Sequence, residues 1–126
     1  MVANLEDAVR VAERRFNESK ASLADAEAKS ADKRGDYEEA EAEVITKQDE
    51  LAVIKQEQDP DPNKVQAAEN AVRDAQRRRD SAKRVYNLAI ESERKARNSV
   101  DAADLALGQA MRALKDYKLN NKPQQN

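Results

Sequence analysis

Apolar residues recur along the chain at alternating steps of four and three. From Leu5 the series runs through Val9, Ala12, Phe16, Ser19, Leu23, Ala26, Ser30, Lys33, Tyr37, Ala40, Val44, Lys47, Leu51 and Ile54. A second series starts at Val65 and runs through Ala68, Val72, Ala75, Arg79, Ala82, Tyr86, Ala89, Glu93, Ala96, Val100, Ala103, Leu107, Ala110, Leu114 and Tyr117. No insertion shifts the phase of either series, and an unbroken seven-residue repeat predicts a left-handed coiled-coil seam. Between the two lies Asp59-Pro60-Asp61-Pro62. Pro60 cannot continue a helix and is expected to push Asp59 towards an extended conformation. Asp61 followed by Pro62 suits a helix N-cap with proline at the first helical position. The expectation is one all-α domain with arms over about 4–57 and 62–119. A turn at about 58–61 joins them, and a flexible polar tail, 120–126, contains Pro123. Each arm would span roughly 80 Å at about 1.5 Å per residue.

The seam also predicts its own partner. In the second series one core position is alanine at every repeat from Ala68 to Ala110, while the alternate position is mostly bulky. Folding the chain back at the prolines pairs positions whose numbers sum to 119. Leu51 then faces Ala68, Val44 faces Ala75, Tyr37 faces Ala82, Leu23 faces Ala96, Phe16 faces Ala103 and Ala12 faces Leu107. Large residues set against small ones let two helices approach closely and fill the gap. The fold expected is therefore a long antiparallel two-helix coiled-coil hairpin. Ser30, Lys33, Lys47, Arg79 and Glu93 interrupt the seam with polar groups. Either the long side chains carry their heads out to water, or the middle of the seam is weak enough to bend or open. Gly35, on the outer face nearby, costs about 1 kcal/mol relative to alanine and adds to that softness.

Composition narrows the chemistry. Of the hydrophobic residues 23 are alanine, and there is no Trp, a single Phe and three Tyr. That is too little bulk for a thick globular core. With 23 basic against 25 acidic residues the net charge is only −2, so the chain reads as long helix and not as a disordered polyelectrolyte. Without cysteine there is no disulfide or thiolate, and without histidine the commonest general base and metal ligand is missing. No catalytic residue, cofactor or metal site is expected. Glu38, Glu39, Glu41 and Glu43 lie on solvated helix faces, with no pocket to raise a carboxyl pKa. The run Arg77-Arg78-Arg79 is balanced by Asp74 and Asp80, and the near-neutral total argues against nucleic acid as partner. Asp59, Asp61 and Asn63 lack the downstream Glu and carry prolines that a calcium loop excludes. Nothing is long and apolar enough to insert into a membrane, and no apolar leader precedes Glu6 and Asp7. What remains is the tip of the hairpin. Gln56, Glu57, Gln58, Asp59, Pro60, Asp61, Pro62, Asn63 and Lys64 offer amides, carboxylates and proline-stiffened backbone, and they form the candidate binding site. A plain turn is the alternative.

Three stretches carry a resemblance to a known family: Ala12-Glu13-Arg14 with Phe16 and Asn17, Ala52-Val53-Ile54-Lys55-Gln56, and Val85-Tyr86-Asn87 after a basic run. They resemble the receptor-binding domain of E-type colicins, plasmid-borne toxins that bacteria use against close relatives. The resemblance implies a coiled-coil hairpin between a translocation and a killing domain, part of a larger secreted toxin acting at the surface of target bacteria. It implies that the tip binds an outer-membrane protein receptor, in that family the vitamin B12 transporter. The family's tip is longer and carries aromatic and glycine residues, whereas this chain turns directly through Asp59 to Lys64. A structural hairpin, such as a periplasmic adaptor arm or a self-assembling scaffold, is the alternative function. A monomer is expected, although Ile90 and Met111 flank the seam and offer two hairpins a weak four-helix association.

Overall fold

The computed structural model describes residues 2–121 as two helices, α1 (Val2–Lys55) and α2 (Pro62–Asn120). They pack against each other as an all-α hairpin, with no strand among the described residues. Packing divides the chain into two units. One comprises α1 up to Glu27 with α2 from Ser92 onward, and the other runs from Ala28 to Glu91.

The seam is where the heptads put it. Every position of both series, Leu5 to Ile54 and Val65 to Tyr117, is buried or half-buried, while the intervening positions are exposed with few exceptions. In the Ala28–Glu91 unit the two least exposed residues of the described chain are Ala75, at 1 %, and Val44, at 4 %. They are opposite partners in the 119 register. Val72 and Ser30 are the other buried residues of this unit, and Ala12 is the buried residue of the other. Among the described residues no side chain bulkier than alanine is fully withdrawn from water, because two helices can cover only one stripe of each other.

Cross-helix pairs report the register within each unit. Lys55 reaches Glu69 at 3.9 Å, and the Tyr37 and Tyr86 rings stack at 6.1 Å. In the other unit Arg97 reaches Glu27 at 3.7 Å. These pairs are offset by four or five residues from the directly opposite positions. Helical side chains lean towards their own N-terminus, and in an antiparallel pair the two leans converge, so long side chains meet one turn away from their facing Cα atoms. That offset is the one expected if the facing Cα positions sum to about 119. Tyr37, expected to face Ala82, therefore also finds an aromatic partner in Tyr86, a contact worth about 0.5–1.5 kcal/mol beyond burial.

The polar seam residues carry their charged ends to the rim. Lys47 holds Glu43 at 3.8 Å and Glu50 at 3.4 Å, Lys33 lies 3.7 Å from both Asp32 and Asp36, Arg79 reaches Asp80 and Glu93 meets Arg97. Among the described residues no buried side-chain nitrogen or oxygen lacks a partner. Gly35 is exposed, continuous with α1, and a Cβ built on it meets nothing within 4 Å. Alanine there should raise stability by about 0.5–1 kcal/mol, since glycine retains more freedom in the unfolded chain. Thermal unfolding of Gly35→Ala checks this, and an unchanged or lowered midpoint would mean that the kink-prone glycine is needed.

The boundaries correct the expectation in three places. The first arm ends at Lys55 and not at 57, and the turn runs over 56–61. In a helix the Pro60 ring would strike the carbonyl four residues earlier, at Gln56, so α1 must finish before it. Asp59 is left-handed, with φ 60°, and not extended. Proline does exclude the right-handed conformation before it, but the chain must reverse between two antiparallel helices, and aspartate is one of the few side chains that accept the left-handed region. At the other end Asn120 closes α2, and Asn121 donates its backbone N–H to the Tyr117 carbonyl at 2.9 Å. The rest of the expected tail, 122–126 with Pro123, lies outside the described residues.

Candidate functional site

The turn is built from both sides. On the α1 side the last helical amides tighten: Gln56 N–H is shared between the Ala52 and Val53 carbonyls at 3.2 Å each, and Glu57 N–H donates to Ile54 at 3.2 Å. On the α2 side Asp61 caps the helix as its sequence predicts. Its Oδ1 accepts from the Asn63 amide at 2.9 Å, and its carbonyl accepts the first helical bond from Val65 at 3.0 Å. Pro62, at the first helical position, has no N–H to leave unsatisfied.

All nine residues proposed from sequence, Gln56 to Lys64, are brought together here, and all but half-buried Pro60 are exposed. Their roles differ. The Asp61 carboxylate is engaged in the cap, which leaves it less available to a partner. The side chains of Gln56, Glu57, Gln58, Asp59, Asn63 and Lys64 have no hydrogen-bond or ion-pair partner among the described residues. Left-handed Asp59 sits between them and turns the chain. No group of three or more His, Cys, Asp or Glu residues among the described ones is arranged to hold a metal ion.

A second feature adjoins the turn that the sequence reading passed over. On one face of α1, Thr46, Asp49, Glu50, Val53 and Ile54 line a shallow, open recess. Val53 is 62 % exposed and Ile45, two turns earlier, 58 %. Over the matching stretch of α2, from Pro62 to Arg84, no large hydrophobic residue is exposed. Val53 and Ile45 fall outside the heptad series. Their spacing on the outer face, close to the helix end, was the available signal.

Further along the same unit, half-buried Tyr37 lies one helical turn from Glu41. Desolvation, then the Glu41 carboxylate, hold its phenol above the ordinary value, against a lowering contribution from Arg79. A raised folded-state value means that the unfolded chain loses this proton first. The associated stability is complete below about pH 10, the unfolded value, and disappears as pH rises through the higher folded value. Thermal midpoints measured from pH 9 upwards should fall less steeply in Tyr37→Phe than in the parent chain. Identical slopes would remove Tyr37 from the alkaline transition.

No family model matches the chain, and neither the curated proteins nor the solved structures contain a match to it.

Proposed function

We propose that the hairpin is a recognition module that performs no catalysis and binds a protein receptor on a bacterial outer membrane through its turn, as the colicin-like receptor-binding arm does. On this reading it acts outside the producing cell as one segment of a larger toxin. One observation carries the proposal: six successive residues, 56–61, leave the helices, all but Pro60 with exposed side chains, and most of them unengaged within the hairpin. Helix surface elsewhere presents a backbone already satisfied by its own hydrogen bonds, so the turn is where backbone groups and side chains together are available to a partner. Its proline pair and left-handed Asp59 limit the freedom to be lost on binding.

The test replaces 57–60 with a neutral Gly-Asn turn and measures binding to outer-membrane fractions from a panel of Gram-negative bacteria. Lost binding with unchanged helical circular dichroism is the expected result. Binding retained after the replacement refutes turn recognition. It then favours the second reading, a structural hairpin whose arms make the contacts, for which exposed Leu88 and Leu105 are the supporting feature.

A further inference from the structure

The turn is flanked asymmetrically. Its α1 side carries the recess of Thr46, Asp49, Glu50, Val53 and Ile54, with exposed Ile45 beyond it. Its α2 side is polar until Val85. The exposed valine and isoleucine beside the recess make a small apolar patch that a partner can bury, and the charges around it indicate what kind of partner that is. Asp49 on the rim of the recess, and Glu57 and Asp59 at its turn end, are exposed carboxylates with no partner among the described residues. Glu50 is held by Lys47 at 3.4 Å, and Lys47 is itself shared with Glu43. Lys55, beside Ile54, is paired with Glu69 at 3.9 Å, and Lys64 stands across the turn on α2. The α1 border of the recess thus carries more negative than positive charge, and its two cations, Lys47 and Lys55, are both engaged.

We propose that the receptor contact continues from the turn along the outer face of α1, with Val53 and Ile54 receiving an apolar side chain from a lysine- or arginine-bearing loop whose cations meet Asp49, Glu57 and Asp59. This rests on the reading of the turn as the receptor-binding element and adds the chemistry of the partner and the side from which it approaches. An apolar anchor inside a ring of charge is the usual anatomy of such contacts: the buried side chain supplies most of the affinity, and complementary charge sets the rate and orientation of encounter. The α2 side of the turn stays free.

The experiment uses the full chain and the same outer-membrane fractions. Val53→Asp should weaken binding at least tenfold while leaving the thermal midpoint unchanged, since Val53 is outside the seam. Leu88→Asp, equally exposed but on α2, should bind like the parent. Raising salt from 50 to 500 mM should weaken the parent, and the double substitution Asp49→Asn with Glu57→Gln should flatten that dependence. If Val53→Asp binds normally while the replaced turn does not, the α1 face is no part of the contact and the inference fails with the turn reading intact. If replacing the turn has no effect, or if no fraction in the panel binds the parent, the turn reading itself falls. A salt dependence unaltered by removing both carboxylates overturns the cationic partner.

Discussion

Leucine in place of Ala75 should lower the stability of the hairpin by about 1–3 kcal/mol, the largest effect expected of any conservative apolar substitution in the chain. Ala75 is 1 % exposed and stands across the seam from Val44, which is 4 % exposed. Three more carbons have no room there without driving the helices apart or forcing a side chain off its rotamer. The same change at Ala103, opposite Phe16, should cost less, because both residues are only half-buried and leucine there has water to lean into. Adding Val44→Ala to Ala75→Leu should recover part of the loss, since it restores one large residue facing one small one. Chemical denaturation of the two single variants and the double gives the coupling directly. Additive effects would mean that 44 and 75 are not opposite, and the register would have to be moved.

Substitutions at Glu57, Gln58 and Asp59 should reduce receptor binding more than tenfold without altering helicity or melting. Replacing Asp61 should disturb both. The distinction follows from how the turn is made. Asp61 accepts the Asn63 amide at 2.9 Å, and losing such a cap costs about 1 kcal/mol, so any binding defect at Asp61 is compounded by a loosened start of α2. Asp59 has a different second role. Held at φ 60°, it pays some conformational strain, and Asp59→Gly should relieve it. Binding lost in a variant that melts no lower than the parent assigns the carboxylate to recognition. Equal binding by Asp59→Gly and the parent would leave Asp59 only its part in the geometry of the turn.

The seam was legible because a seven-residue repeat and helix geometry leave no choice about which side chains face inward. The large-against-small alternation picked out Val44 and Ala75, the two least exposed residues described. Asp61 and Pro62 likewise announced the start of α2 by the chemistry of the cap. The end of α1 was not legible to the residue, because Lys55, Gln56 and Glu57 all favour helix. Only the collision between the Pro60 ring and a carbonyl four residues back decides where the helix stops. The left-handed Asp59 was hidden for a related reason. The rule for the residue before proline describes local sterics, whereas reversal into α2 is a demand of the whole hairpin. Tyr37 and Tyr86 were assigned to different layers because the heptad counts Cα positions and ignores the direction in which side chains lean. Of the candidate site, the turn residues could be read from the prolines. The recess beside Val53 could not, since a seam-based reading treats outer-face residues as background.

The thinness of the seam has a kinetic consequence. With no bulky side chain sealed from solvent, each layer is stabilised almost wholly by the layers one turn above and below it, as in a stacked repeat. Cooperativity is then short-ranged, and amide protons report local openings and not one global event. Within the Ala28–Glu91 unit, exchange should be slowest at the amides around Val44 and Ala75 and quicken towards the turn. A hairpin built this way opens next to its turn while the layers a few turns below remain closed.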